Sequence, residues 1–302
     1  MKKIFIIFLT IIFLITARFF IIAFNFGNIN KYTEYSENNT VNIVFITDKN
    51  YITPLKIAIK SAILNKNTSS KYHIYVVGAE LDEADINTLK QQQSKDIKIS
   101  VINQKNIYKF MPSNHIYITK ADLFKFNLAS IFEKFDKILY LDCDVIVNKD
   151  LSQLYNHNLD NKYALVVEDI LIQQDKKDIK GFYFNNGVLL LNLEKMRKDN
   201  TALKLLFYKY FIARDRFMTQ DSFNFVFGKN VYVASAQYNL VTLRFTKENE
   251  KYLYNYLKID KNKYPKLSDY VEDSAIIHFA GYNKPWEDSN IQWGYIWEKY
   301  AK

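Results

Sequence analysis

Two carboxylates two residues apart, Asp142 and Asp144, follow the apolar run Lys137-Ile138-Leu139-Tyr140-Leu141. Such a run reads as a buried strand, and in an open α/β sheet ligands bind beyond the carboxyl ends of the strands. Residues i and i+2 of an extended chain point the same way, so both carboxylates face one point. Paired oxygen donors suit Mg²⁺ or Mn²⁺, ions that also bridge a diphosphate. Taken alone, an Asp-x-Asp is better explained as a solvated turn after a strand. His278 shifts that balance. It ends a second apolar run, Ala275-Ile276-Ile277, and its imidazole would complete an Asp142/Asp144/His278 donor set, tilting the metal towards Mn²⁺. Just beyond it, Gly281 permits close backbone approach and Lys284 offers a point charge for phosphate.

These residues need a scaffold, and the chain alternates strand and helix patterns. Residues 41–47, 73–77, 97–102, 137–141, 163–167, 182–191, 231–234 and 275–279 read as strands. Helical spacing is expected over 54–66, 82–93, 121–132 and 221–227, with one long helix over 193–214. The tail from Ser289, with Trp293, Tyr295 and Trp297, reads as a terminal amphipathic helix. The segment 247–273, rich in Tyr and Lys, reads either as a solvated loop or as a surface for an acceptor. The alternation predicts parallel βαβ units in an α/β fold with helices on both faces of the sheet.

Residues 4–24 are almost wholly apolar, with Arg18 as the single charge, and follow the basic pair Lys2 and Lys3. About 20 apolar residues suffice to cross a bilayer. The expectation is a membrane anchor over 1–24, a polar stem over 25–40 and one domain over 41–302; a cleaved signal peptide is the alternative. The chain has 302 residues, 49% of them hydrophobic, which supports a sizeable core and excludes general disorder. The single cysteine, Cys143, excludes a disulfide scaffold and any multi-cysteine zinc site. The net charge of +9 comes from scattered lysines with no basic and aromatic cluster, so nucleic acid is not an expected partner.

Five segments, in order, resemble the family 8 retaining glycosyltransferases, which include glycogenin and bacterial lipopolysaccharide galactosyl- and glucosyltransferases. They are Ile46-Thr47-Asp48-Lys49-Asn50-Tyr51, the run ending in Asp142-Cys143-Asp144, Phe184-Asn185-Asn186-Gly187-Val188, Thr219-Gln220-Asp221-Ser222-Phe223-Asn224, and His278 through Lys284-Pro285-Trp286. The resemblance implies a Rossmann-like GT-A fold that binds a UDP-sugar and Mn²⁺, with Mg²⁺ as the other candidate. It implies that Asp142, Asp144 and His278 hold the metal, and that Asp48, Asn50 and Tyr51 meet uracil or ribose. Gly281 and Lys284 would meet the diphosphate, and Asn185, Asp169 and Gln220 would surround the donor sugar. Lys125, where the family has Arg, and Cys143, between the metal carboxylates, complete the donor-contacting set. Thr219 stands where the family has Asp, which leaves the sugar open.

The implied reaction moves a hexose, galactose or glucose, from a UDP-sugar to a glycan or lipid-linked saccharide, beside a membrane held through the N-terminal helix. Two rival readings stand beside it. A nucleotidyltransferase would also use carboxylates after a strand, but would carry a Gly-rich loop, and residues 47–54 contain no glycine. A carbohydrate-binding relative without activity would accommodate Lys125 and Thr219.

Overall fold

The structure, a computed structural model, describes residues 2–108, 111, 119–170, 181–212 and 218–302. Among the described residues, ten strands form two sheets. The first has seven strands in the order β3-β2-β1-β4-β7-β6-β8: β1 (Thr40–Asp48), β2 (Lys71–Ala79), β3 (Ile97–Gln104), β4 (Lys137–Leu141), β6 (Ala164–Glu168), β7 (Phe184–Asn192) and β8 (Val231–Val233). β3, β2, β1 and β4 run parallel, and β7 enters antiparallel between β4 and β6. The second sheet pairs β5 (Val145–Val147), β10 (Ile276–His278) and β9 (Leu240–Val241).

Alternation along β1 shows why this strand is central. Ile43 and Phe45 enter one core cluster with Leu55, Ile59 and Leu141, while Val44 and Ile46 enter another with Phe124, Ile138 and Leu189. A strand buried on both faces reads as a continuous apolar run. Each such side chain contributes about 1.5–3 kcal/mol of burial. β1 leads outward to β2 and β3 on one side and lies beside β4 on the other, so the strand order reverses between β1 and β4. Their carboxyl ends, at Asp48 and Leu141, therefore flank a topological switch point, where such sheets bind ligands. Asp142 to Asp144 pass from the large sheet into β5 of the small one, which brings β10 and His278 alongside.

Several elements differ from the sequence reading. The single long helix expected over 193–214 is two, Leu193–Lys198 and Thr201–Phe211, broken at Asn200, whose φ of 50° and ψ of 44° are left-handed. Asn tolerates that region better than most residues. Arg214 lies outside the described residues. The helix expected over 121–132 is a 3₁₀ segment, Lys120–Asn127, followed by one α-helical turn, Leu128–Ile131. The segment 247–273 holds two short helices, Glu250–Tyr256 and Leu267–Glu272; Tyr254, Tyr264 and Tyr270 are buried in a third core cluster beside the small sheet, while Tyr256 is exposed. The terminal amphipathic helix is Gly294–Ala301, which buries Ile296, Trp297 and Tyr300.

The N-terminal helix, Lys2–Asn25, and the 3₁₀ turn Phe26–Asn28 after it carry a span, Ile7–Asn28, long and apolar enough by length and composition to cross a membrane. Its far end is docked: Ile22 is fully buried, and Phe19, Ala23 and Phe26 pack against the main core. The following residues stay on the domain. Ile29 is buried, the Asn30 N–H donates to Gln104 Oε1 (2.9 Å), and the Tyr32 N–H donates to the Ile131 carbonyl (2.9 Å).

Candidate active site

The acidic pair is aimed by backbone pairing. The Asp142 N–H donates to the Gly187 carbonyl (2.7 Å), extending the β4–β7 ladder by one step. His278 lies opposite Val145 in the β5–β10 ladder, and the Phe279 N–H donates to the Asp144 carbonyl (2.9 Å). Asp142, Asp144 and His278 thereby offer one ligand atom each, all within 4.8 Å of one another. His278 Nε2 is 3.1 Å from Asp144 Oδ1 and 3.8 Å from Asp142 Oδ2.

The hydrogen-bond chain behind His278 decides which ring nitrogen faces the carboxylates. The Gly187 N–H donates to Asn185 Oδ1 (2.9 Å), which makes that atom an acceptor. Asn239 Nδ2 donates to the same oxygen (2.8 Å), so Asn239 Oδ1 points at His278 Nδ1 (2.9 Å) and accepts from it. Nδ1 therefore donates to Asn239 Oδ1, and Nε2 is the ring atom that faces the two carboxylate oxygens. A neutral imidazole with its outer N–H held by a protein oxygen is the usual metal-ligating form. Two carboxylates and one imidazole nitrogen suit Mn²⁺ and, with the oxygens dominant, Mg²⁺.

The other carboxylate oxygens are held by lysines. Lys125 Nζ bridges Asp142 Oδ1 (2.9 Å) and Asp122 Oδ1 (2.7 Å), and Tyr140 Oη also donates to Asp142 Oδ1 (2.5 Å). Lys284 Nζ pairs with Asp144 Oδ2 and donates to the Phe279 carbonyl (2.8 Å). Burial alone would raise the Asp144 pKa, but the Lys284 ammonium and His278 outweigh it and hold this carboxyl well below the usual range. For Lys125, burial acts to lower the pKa, and Asp122 and Asp142 reverse that and raise it. Burial pushes the Cys143 thiol well up, and its Sγ donates to the Ile46 carbonyl (3.1 Å), so it is a packed and inert group.

A cavity of about 360 Å³ opens over this cluster. Asp48, Tyr51, Lys125 and Cys143 line it with the three candidate ligands, as do Gly281 and Lys284 from the loop after β10. Asp169, Asn185 and Gln220 line it as well. Asn50 does not; it is exposed, and only its backbone N–H is engaged, donating to Asp48 Oδ1 (2.9 Å). Gln220 opens the helix Gln220–Phe227; its Oε1 accepts from the Asn186 N–H (3.2 Å) and its Nε2 is 3.4 Å from Asp169 Oδ2. Asn224 clamps that helix to β7, accepting from the Phe184 N–H and donating to the Phe184 carbonyl, each at 2.8 Å.

Three positions in this arrangement escaped sequence reasoning. Asn239 holds the imidazole from an unpatterned segment. Tyr140 reads as one more apolar strand residue. Asp122 joins Lys125 to Thr219, whose Oγ1 donates to Asp122 Oδ2 (2.5 Å) and accepts from Asn186 Nδ2 (2.7 Å). The one available signal was the i, i+3 spacing of Asp122 and Lys125, which sets side chains on one side of any helical turn.

The profile of glycosyl transferase family 8 matches residues 42–290, most of the chain. The chain belongs to glycosyl transferase family 8. Among curated family 8 relatives, the lipopolysaccharide 1,2-glucosyltransferase of Escherichia coli is 26% identical over 281 residues, covering 88% of this chain and 76% of that protein. The lipopolysaccharide 1,3-galactosyltransferase of Salmonella typhimurium is 25% identical over 280 residues, covering 87% and 77%. Among solved structures, the galactosyltransferase LgtC in complex with donor and acceptor sugar analogues superposes with a TM-score of 0.67 at 24% identity, over 86% of this chain and 95% of that one. The bifunctional glycosyltransferase WbbM has a TM-score of 0.71 at 18% identity; the match covers 90% of this chain but about half (51%) of WbbM. These likenesses establish the GT-A type of fold for the family 8 chain described here.

Proposed function

We propose that this chain is a retaining hexosyltransferase. It moves glucose or galactose from a UDP-sugar to a glycan or lipid-linked saccharide, with Mn²⁺, or Mg²⁺, held by Asp142, Asp144 and His278. The observation that carries this reading is the Asp–Asp–His triangle, its donor atoms within 4.8 Å of one another, in a cavity shared with Asp169, Asn185 and Gln220. The names of the curated relatives support a hexose. The domain over 41–302 performs the transfer, and the helix Lys2–Asn25 is an uncleaved single-pass anchor.

A divalent ion bound there supplies positive charge to the diphosphate as its bond to C1 of the sugar breaks. The residues prepare for this. Among the described residues, Lys125 and Lys284 are the ammonium groups paired with Asp122, Asp142 and Asp144, so, with His278 neutral as a metal ligand, three negative charges against two positive leave one negative charge. The cluster therefore attracts a cation before it accepts a diphosphate. Asp48 and Tyr51 stand at the end of β1 to receive the nucleoside. Gly281, with φ of +107°, brings backbone close to the phosphates, and Lys284 balances the charge left on UDP.

Gln220 is an amide already engaged at both ends, by Asn186 and Asp169, so it orients the sugar rather than attacking it. Transfer proceeds on one face. The C1–O bond to UDP breaks with its electron pair going to the phosphate oxygen. The acceptor hydroxyl oxygen bonds to C1, and its proton passes to that same phosphate oxygen. A glycosyl adduct trapped on Gln220 would overturn this route. A donor panel of UDP-glucose, UDP-galactose, UDP-N-acetylglucosamine and UDP-xylose, read by UDP release, tests the function. The expected outcome is metal-dependent turnover of one of the two hexoses; no release from any donor with either metal would overturn it.

A further inference from the structure

The helix Thr201–Phe211 shows an apolar stripe to solvent. Leu203, Phe207 and Phe211 recur every four residues, so they lie along one side, and all are exposed, Phe207 by 50%. Ile212 extends the stripe, and the exposed Phe225 joins it through the ring of Tyr208, stacked at 4.2 Å. Soluble proteins rarely leave so many large apolar side chains together in water.

The stripe borders the N-terminal helix. Phe19 packs against Phe211 at 4.9 Å, Tyr210 at 5.6 Å and Phe207 at 6.1 Å between ring centroids, and Tyr210 Oη donates to the Ile15 carbonyl (3.2 Å). Next to Phe19, Phe20, Ile21 and Phe24 are exposed, Phe24 by 79%. The apolar surface of the spanning helix thus runs without a break onto the domain. The link between them has no slack, because residues 26–32 are bonded to the domain. A free stem of that length would reach about 20 Å; here it holds the domain against the C-terminal part of the helix, from Ile15 to Ala23. The exposed Lys204 on the same helix, with Lys198 just before it and Lys229 just after the helix Gln220–Phe227, suits anionic headgroups, and Tyr208 and Tyr210 suit the polar–apolar boundary.

We propose that the face formed by Leu203, Phe207, Phe211 and Phe225 lies in the bilayer interface beside the helix Lys2–Asn25, so that the domain is seated on the membrane instead of being tethered above it. This rests on the anchor reading and adds a second, lateral membrane contact. It matters for the acceptor, since a seated domain has its height above the lipid set by packing.

The test uses the full chain in vesicles of phosphatidylethanolamine and phosphatidylglycerol. Nitroxide labels go on Phe207→Cys, Phe211→Cys, Phe13→Cys in the span, and Lys258→Cys as a surface control. The buried Cys143 of the unsubstituted chain measures background. Collision with oxygen reports lipid, and collision with a water-soluble nickel chelate reports water. The expected result is at least several-fold oxygen excess at 207, 211 and 13, with the nickel chelate favoured at 258. Water exposure at 207 and 211 with lipid exposure at 13 overturns the seating while leaving the anchor intact. Water exposure at 13 with lipid exposure at 207 and 211 keeps the seating and removes the anchor. Spin–spin broadening at 207 and 211, from a second copy of the chain on this face, also overturns the proposal.

Discussion

Gly187 and His278 are in such close contact that a β-carbon on Gly187 would sit 2.2 Å from the imidazole Cε1; it would also lie 2.7 Å from Asp142 Oδ2. No side chain fits there without displacing a candidate metal ligand. Gly187→Ala is therefore expected to keep the fold, by circular dichroism, and to lower metal affinity by roughly 10-fold or more, in line with disturbed outer contacts elsewhere. Calorimetric titration with Mn²⁺ reads this directly. Unchanged affinity would mean that His278 does not bind the metal in the position described.

Asn239 is expected to behave as a positioning residue. Its Oδ1 holds the Nδ1 proton of His278, and its Nδ2 reaches Asn185. Asn239→Ala should cost about 10–100-fold in metal affinity. Saturating Mn²⁺ should restore part of the turnover, a rescue that a purely structural role would not show.

What the sequence made legible follows from how local each signal is. β1 and β4 announce themselves because strands buried on both faces are continuous apolar runs, and their ends carry Asp48 and Asp142. The i, i+2 spacing of Asp142 and Asp144 and the strand-end place of His278 were equally local. Asn239 was hidden because its importance arises only when β9 lies beside β10, a pairing of two-residue length. The break at Asn200 was missed although residues 197–201, Arg-Lys-Asp-Asn-Thr, interrupt the apolar spacing; Met196 and Leu203, seven residues apart, bridge the gap in a helical pattern. The packing of Tyr254, Tyr264 and Tyr270 was hidden because the Tyr- and Lys-rich composition of 247–273 matched a solvated loop or an acceptor surface.

Lys125 neutralises two carboxylates from a position that is 2% exposed. Lys125→Met leaves Asp122 and Asp142 facing each other without their cation. Removing one partner of a buried ion pair costs about 3–5 kcal/mol, which at this size corresponds to a Tm drop on the order of 10 °C. The double variant Lys125→Met, Asp122→Asn should recover part of that loss, measured by thermal denaturation. Full stability in Lys125→Met alone would contradict the account.

His73 provides the pH dependence. It is buried, stacked on Tyr75 at 3.9 Å between ring centroids, and hydrogen-bonded to Ser100 (2.8 Å) and Tyr75 Oη (2.7 Å). Burial, aided by Lys98, lowers its pKa to about 4. The unfolded chain binds this proton near pH 6.5, so the neutral ring stabilises the fold fully above about 6.5. That contribution is lost as the pH falls from 6.5 towards 4. His73→Gln should flatten the decline in Tm across this window relative to the unsubstituted protein. Identical slopes would show that His73 is not the group involved.

The central claim is that Asp142 and Asp144 hold the metal on which sugar transfer depends. The most direct measurement is UDP release from UDP-glucose and UDP-galactose by the unsubstituted chain, Asp142→Ala and Asp144→Ala, each with and without Mn²⁺. The account expects turnover by the unsubstituted chain only with the ion, and loss of that turnover, by at least about 100-fold given the usual weight of such electrostatic contacts, in both variants. Turnover at the unsubstituted rate in either variant, or equal turnover without any metal, would contradict it.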